Sequence, residues 1–547
     1  MCPLITSVRQ PVPVLRRRWV IATAAAATVA LAGYLVNGNI RYQVGVGRVS
    51  GYSVAETFSH RPLVFRLLSA AQAWLPEQIS LLAGAPTSWA GIVVFETGFR
   101  LVAAIASAGA ALLLWRGLRP CWGSAAWPYG VAAFAALAFT APATGEPDWM
   151  AALLAVAAVG AGLLCRPWVG ATIGGVLLAA ATLVKISTLP VALAALVLLW
   201  AIDRGRGWLA GVSALVSGLI AVGLIWWLTP WEIGWLLDIE ALQPDPWAAD
   251  HGIEARDYLL NLAARWPTVA LVPAFFVRAR PEEAWPAASG LALTIFAFVY
   301  QGQYFVYHSI GFVTLSALLA VRTVQRSRAA LRWPLLALTA WTAVLFVTPV
   351  EWRLAHPLRL YLGAGSSMAI LAAGQWLALR RRPGLSRARA DWWAAVLVLL
   401  AMLATQTPFS AEALTLGTAG RTAASSALAL RTDIADAEQV HRLIGPDTQV
   451  VYLTFGADTY TLGNPTHCRY PSPLFLQRGQ ADRKMPPADR QENLGCLADP
   501  GARWLIWDRD WLHRKGAAAD LLATIGRVWD CDRASHVSRY TLCPRRA

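Results

Sequence analysis

Lysine is nearly missing from this chain: only Lys185, Lys484 and Lys515 occur in 547 residues. Charge of either sign is scarce, with Asp, Glu, Lys and Arg making up 14% of the residues, against about 25% in soluble domains. That excludes an ordinary soluble globular protein of this length. The phosphate-cradling and nucleophile motifs are lacking too. No GxxxxGK[ST], GxGxxG, HExxH or GxSxG stands in a suitable context, so ATP or nucleotide-sugar chemistry of the soluble kind has no support. No CxxC or HxxxH spacing is present, which removes the usual signature of a structural zinc. The formal charge of +15 looks like a nucleic-acid footprint. Its arginines, however, stand one apolar hairpin apart instead of gathering on one segment, so nucleic acid is excluded as a partner and membrane topology explains them.

What the chain does have is long apolar runs, with 56% hydrophobic residues and a mean hydropathy of +0.46. Arginine clusters punctuate them: Arg16-Arg17-Arg18, Arg116/Arg119, Arg166, Arg204/Arg206, Arg278/Arg280, Arg322/Arg326/Arg328/Arg332, and Arg380-Arg381-Arg382 with Arg387/Arg389. A bilayer-spanning helix needs about 20 apolar residues, and short Arg-rich loops stay in the cytoplasm. Runs near 19–36, 88–115, 125–142, 150–165, 168–184, 188–202, 207–229, 266–278, 285–301, 305–321, 333–350, 358–379 and 391–407 predict about 13 transmembrane helices. The run at 19–36 is long for a cleaved signal peptide and no A-x-A site follows it, so it reads as a retained helix. The fold class is an α-helical polytopic membrane protein, with a transmembrane domain over 1–407 and a soluble α/β domain over 408–547. With the N-terminus cytoplasmic, an odd number of spans puts the tail outside. The Arg-, Ala- and Trp-heavy usage suggests a GC-rich bacterial genome, hence a bacterial inner membrane.

Cysteine usage agrees with that orientation. Cys2, Cys121 and Cys165 fall in or beside inferred cytoplasmic segments, whereas Cys468, Cys496, Cys531 and Cys543 all lie in the tail. An even number in one extracytoplasmic segment suits two disulfides. Three pairings exist; the shortest loops favour Cys468–Cys496 and Cys531–Cys543. In the same tail, Gln449–Phe455 and Ala502–Trp507 read as buried strands, and Asp436–Ile444 and Ala517–Ile525 as helices.

The first outer loop, 37–87, breaks the charge rule by carrying Arg41, Arg48, Arg61 and Arg66. Either a 50-residue loop escapes the rule, or an anion site lies at the outer face. Within it Val64, Leu67, Leu68, Ala71, Trp74 and Leu75 share one helical face behind Pro62, which predicts a helix lying in the interface.

Ionisable residues near outer helix ends carry the chemical information, since charge near a bilayer is costly and tends to have a role. Glu56 and Glu77 are the only acids of the first outer loop. Glu56 is placed to act as general base on an acceptor hydroxyl, or simply to cap the following helix; His60 and Arg61 stand beside it. Glu146 and Asp148 flank a proline turn, suiting sugar hydroxyls or a metal ion, or a plain helix start. Lys185, in Leu183-Val-Lys-Ile-Ser-Thr-Leu-Pro190, is the one lysine of the membrane portion and suits a lipid phosphate; snorkelling to the interface is the alternative. Tyr307 and His308 close the segment Gln301-Gly-Gln-Tyr304-Phe-Val-Tyr307-His308, suiting a sugar and a phosphate. Arg353 and Arg359 supply further outer cations.

Taken together, a long first outer loop with Glu56 and an interfacial helix, an acidic second loop (Glu146, Asp148), the Leu-Val-Lys185-Ile-Ser-Thr-Leu-Pro segment, Tyr307-His308 and an outer tail resemble the GT-C glycosyltransferases. The likeness is to bacterial polyprenyl-phosphate-sugar-dependent mannosyl- and arabinofuranosyltransferases in particular. The resemblance implies an inverting transfer of a sugar from a polyprenyl-phosphate donor to a glycan, lipid or protein acceptor. Glu56 would be the catalytic base, and Lys185, His308, Arg61 and Tyr307 would hold the donor phosphate. The family usually has Asp soon after the first helix, whereas here Glu56 follows about 20 residues later. Some members use a divalent cation (Mg or Mn) and others none, which leaves the metal open. Competing classes are a polysaccharide polymerase or ligase, a lipid-linked-sugar transporter, and a non-catalytic assembly protein. The polymerase class places its large outer loop between late helices, and a transporter places charge midway along its helices.

Overall fold

A computed structural model of the chain describes residues 14–32, 38–57, 61–140, 144–164, 166–242, 262, 265–301, 306–327, 331–356, 358–359, scattered positions over 362–374, 386–405, 423–454, 457–469, 487–510, 512–514 and 517–547. The chain divides into two compact units: one of residues 1–35, 100–221 and 246–425, the other of residues 36–99, 222–245 and 426–547.

The first unit is helical. Its elements are α1 (Val14–Ala32), the body of α4 (Trp89–Trp122), α5 (Trp127–Ala138), α6 (Pro147–Leu164), α7 (Pro167–Leu183), α8 (Leu189–Ile202) and most of α9 (Arg204–Leu228). After these come α11 (Pro267–Ala270), α12 (Val272–Arg278), α13 (Pro281–Val299), α14 (Ile310–Arg326), α15 (Arg332–Val347), α16 (Val350–Ala355) and α17 (Arg387–Leu403). Twelve of the 13 expected spans fall on these helices, and 358–379 lies largely outside the described residues. The run 266–278 is two helices of four and seven residues meeting at Leu271 and Pro273, so its apolar length is not one span. Among the described residues Trp89–Ala138, Pro147–Leu164, Arg204–Leu228 and Val306–Arg326 are long and apolar enough to cross a bilayer, and shorter apolar helices accompany them. The architecture is that of an α-helical polytopic membrane protein.

Close packing rests on small residues, as in lipid, where helices associate through van der Waals contact. A Cβ on Gly160 of α6 would lie 2.3 Å from the Leu114 nitrogen of α4, and one on Gly117 would lie 2.4 Å from the Gly160 oxygen. At the arginine-rich end of the bundle, Glu283 pairs with Arg322 at 2.7 Å and with Arg326. There too Gln325 joins Tyr129, Asp391 and the Ala125 carbonyl. These bonds satisfy polar groups that are half-buried there.

The second unit opens with α2 (Gly38–Ser50) and α3 (Leu63–Ala83), and includes α10 (Trp231–Leu242), α18 (Ala423–Ile444), α19 (Asp458–Leu462), α20 (Pro487–Leu497) and α21 (Ala519–Val528). A four-stranded sheet has the order β1 (Val450–Leu453), β2 (Trp504–Asp508), β4 (Tyr540–Pro544), β3 (Ser535–Val537). The β1–β2 pair is parallel and the others antiparallel. Both faces are covered. Val451, Leu453, Leu505 and Trp507 pack on Leu497, Leu521 and Ile525, while Val450, Tyr452, Ile506 and Leu542 pack on Ala437, Val440 and Ile444. Burial on both sides is why β1 and β2 read as unbroken apolar runs. Cys468–Cys496 and Cys531–Cys543 are the disulfides, with Cα separations of 5.3 and 4.6 Å. Cys121 is disulfide-bonded as well, so pairing alone does not mark the compartment.

The expected interfacial helix is α3, and it is amphipathic in reverse. Phe65, Arg66, Ser69 and Ser80 are buried, whereas Leu67, Trp74, Leu75 and Leu82 are exposed. Polar groups turned inward and an apolar stripe turned outward suit a helix whose outer face meets lipid.

Candidate active site

In the first unit four helix ends bring a lysine, a carboxylate, an amide and an imidazole together. Gly145, at φ 87°, turns the chain into α6, and the Met150 amide donates to the Glu146 carbonyl at 3.0 Å to start that helix. Pro147 suits the first turn, and Asp148 there meets the positive end of the helix. Trp149 ties this corner to α5 through Nε1, which donates to the Leu137 carbonyl at 2.9 Å. Lys185 lies where α7 ends, in extended backbone before the single turn Ile186–Thr188. Thr188 locks that turn by donating through Oγ1 to the Ala181 and Lys185 carbonyls at 2.6 and 2.5 Å. Gln301 follows α13, and His308 belongs to the turn Val306–Ser309 that opens α14.

Lys185 Nζ lies 3.1 Å from Asp148 Oδ2, donates to Gln301 Oε1, and sits 3.3 Å from His308 Nε2. Gln301 Nε2 donates to Asp148 Oδ1 at 3.3 Å and to the Ala297 carbonyl at 2.7 Å. A lysine ammonium only donates, so His308 Nε2 is the acceptor, and that assignment puts the neutral ring's proton on Nδ1. Tyr307 meets the His308 ring edge-on at 4.4 Å. The Asp148 side chain is 3% exposed and that of Lys185 18%, so the cation alone of this pair reaches the surface. Both Asp148 oxygens are engaged by Lys185 and Gln301. Among the described residues no group of three or more His, Cys, Asp or Glu side chains is disposed to hold a metal. Glu146 is buried in the same corner.

Farther along the bundle lies a small apolar cavity of about 70 Å³. Ala152, Val156 and Val159 of α6, Val191 and Leu198 of α8, and Leu315 of α14 line it. At 1.5 Å per residue these α6 positions lie about 6–16 Å below Asp148.

Glu56 and Arg61 belong to the second unit. Glu56 sits in a tight turn. Its Oε2 accepts from the Ser53 amide at 3.1 Å and the Ser53 hydroxyl at 2.6 Å, the first of these being one half of a capping box. These two bonds, helped by Arg469, hold its carboxyl below the usual glutamate value, and solvent reaches it. Arg61 is half-buried. His60 lies outside the described residues, as does the side chain of Arg353, while Arg359 is exposed. The structure thus brings Asp148, Lys185, Tyr307 and His308 together in one unit, and Glu56 and Arg61 belong to the other.

The arginines of residues 37–87 have structural partners. Arg41 pairs with Glu96 at 2.7 Å and donates to Thr461 at 3.0 Å. Arg48 lies over the Tyr460 ring, and Arg66 pairs with Glu232. Sequence reasoning gave Gln301 no role of its own within its segment, counted Arg66 only as a loop cation, and passed over Glu232 and Arg469. A buried glutamine after an apolar run is a weak signal, and Glu232 is about 170 residues from its partner.

The chain combines a polytopic helical bundle with a terminal α/β unit. Two solved structures share this fold: ArnT from Cupriavidus metallidurans in the apo state, with a TM-score of 0.52 and 14% identity, and the same protein bound to undecaprenyl phosphate, with a TM-score of 0.53 and 15% identity. Each alignment covers 96% of this chain and 97% of that chain. No protein-family model and no curated protein matches the sequence.

Proposed function

We propose that this protein is a membrane glycosyltransferase moving a sugar from a polyprenyl-phosphate donor to an extracytoplasmic glycan, lipid or protein acceptor, with inversion at the anomeric carbon. One observation carries the reading: Lys185, oriented by Asp148 and Gln301 and backed by His308, is a partly exposed ammonium held on a buried carboxylate. A lipid phosphate needs such a fixed cation to hold its charge. ArnT, of the same fold, has been solved with undecaprenyl phosphate bound. The Glu56 carboxylate takes the proton of the acceptor hydroxyl as its oxygen bonds to the anomeric carbon. The bond from that carbon to the phosphate oxygen breaks, and its electron pair leaves with the phosphate. Lys185 and the His308 Nδ1–H stabilise the charge that grows on the leaving oxygen, where fixed donors act most strongly. Tyr307 braces the His308 ring. Nucleotide sugars are absent outside the membrane, so a lipid-borne donor fits a bacterial inner-membrane enzyme whose tail faces outward.

The test is the purified protein in lipid nanodiscs against a panel of radiolabelled polyprenyl-phosphate sugars. One donor should be consumed, and Glu56→Gln should abolish transfer while donor binding and thermal stability stay unchanged. Full transfer by Glu56→Gln removes the base, and failure of every donor removes the transferase.

A further inference from the structure

The turn that carries Glu56 is held from outside itself, and every group that holds it lies in the second unit. Arg66 of α3 donates through Nη1 to the carbonyls of Val54 at 2.6 Å and Thr57 at 2.7 Å, and through Nε to that of Arg61 at 3.0 Å. Its Nη2 pairs with Glu232 of α10, whose other oxygen accepts the Leu63 amide at 2.6 Å. Trp231, the neighbour of Glu232, donates through Nε1 to the Ala55 carbonyl at 3.2 Å. Arg66 and Glu232 are both buried, with side chains 6% and 3% exposed.

A buried ion pair far from a reacting atom is a costly way to gain stability, because desolvation offsets most of the attraction. Here the pair does something an apolar pair does not: it fixes three backbone carbonyls around one exposed carboxylate. Ser53 then completes the turn, its carbonyl accepting from the Glu56 and Thr57 amides at 2.9 and 3.0 Å. A general base has to be held within a fraction of an ångström to act.

We propose that Arg66 and Glu232, with Trp231, are positioning residues that hold the Glu56 turn in its reactive geometry. This rests on the reading of Glu56 as the base. Glu232 charges Arg66 and orients its fork, Arg66 sets the turn, and Glu56 meets the acceptor. A segment near the middle of the chain thereby governs a residue of the first outer loop.

The experiment compares Arg66→Met/Glu232→Met and Trp231→Phe with the parent protein in nanodiscs, by kcat, donor KM and pH–rate profile. The double replacement leaves no unpaired charge and keeps side-chain volume, so it folds. Trp231→Phe removes a single bond and keeps the ion pair. Expected are a kcat at least tenfold lower for the double replacement and severalfold lower for Trp231→Phe, with donor KM within twofold of the parent. The acid limb of the pH–rate profile moves up toward an ordinary glutamate as the Ser53 bonds loosen. Unchanged kcat in both variants, or a kcat loss with no movement of the acid limb, overturns the positioning role. Activity of Glu56→Gln by itself is a separate result that overturns the base.

Discussion

Lys185 is tied to three partners and still reaches the surface, which sets what its replacement should do. Lys185→Met removes the cation and leaves the buried Asp148 unpaired, so both stability and transfer fall. Breaking one half of a buried pair costs about 3–5 kcal/mol. Lys185→Met/Asp148→Asn restores neutrality and recovers stability. It does not recover transfer, which stays down by about 100-fold or more if the ammonium stabilises the leaving phosphate. Thermal unfolding read beside kcat/KM separates the two roles, and a double variant that regains activity removes Lys185 from the phosphate site. Ser53 offers a second test. Its two bonds lower the Glu56 value, so the carboxylate stays ionised further into acid than a free glutamate, whose pKa is about 4.3. Ser53→Ala takes away the hydroxyl bond, and the acid limb of the rate profile should move to higher pH. A limb that stays put means that another group titrates there. Of these residues, Lys185 and Glu56 were legible because each is a rare charge in an apolar or sparsely acidic stretch. Gln301 was not, since nothing local marks an amide that finds its partners only when α6, α7 and α13 end together.

At the scale of elements, apolar length fixed the helices well and their continuity poorly. Run 266–278 has the composition of a span, yet Pro267 and Pro273 make it two short pieces, because each ring can begin a helix and neither can continue one. The basic first outer loop was ambiguous for a related reason. Arg41 and Arg66 look like misplaced cations until Glu96 and Glu232, distant in sequence, neutralise them. The reversed face of α3 was legible from its period alone. Glycine placement gives the test. Gly160→Ala puts a methyl 2.3 Å from the Leu114 nitrogen, against backbone that cannot yield, and should destabilise the bundle by about 1–3 kcal/mol or more. Gly109→Ala meets nothing within 4 Å and should be neutral or stabilising by up to about 1 kcal/mol, as expected in a helix interior. Equal melting temperatures for the two variants would mean that α4 and α6 are not packed through Gly160.

For the whole molecule, stability against pH is where buried charge shows itself. Arg539 is shared by Asp458 at 2.5 Å and by Asp433 and Asp508 at 3.4 Å each. One guanidinium divided among three acids compensates each only in part, so burial pushes the Asp458 carboxyl up to about 7, and the acids hold Arg539 above its ordinary value. Asp458 opens α19, which packs on α2 and donates no charge of its own to offset the carboxylate. A carboxyl raised in the folded state binds its proton there when the unfolded chain, at about 3.9, has already lost it. The folded form therefore holds the extra proton between about pH 4 and 7, and its stability declines as pH rises through that window. The slope is opposite to that of an ordinary salt-bridged aspartate, which gains stability as pH rises toward about 4 and is level above it. The whole decline amounts to at most about 4 kcal/mol, at about 1.4 kcal/mol for each pH unit crossed. Asp458→Asn, neutral at every pH, should flatten this decline and raise the melting temperature near pH 8 relative to the parent, with little change near pH 4.5. Melting curves of the full chain in detergent at those two pH values decide it: parallel curves for parent and variant place Asp458 among ionised, fully paired acids and leave Arg539 as a simple structural bridge.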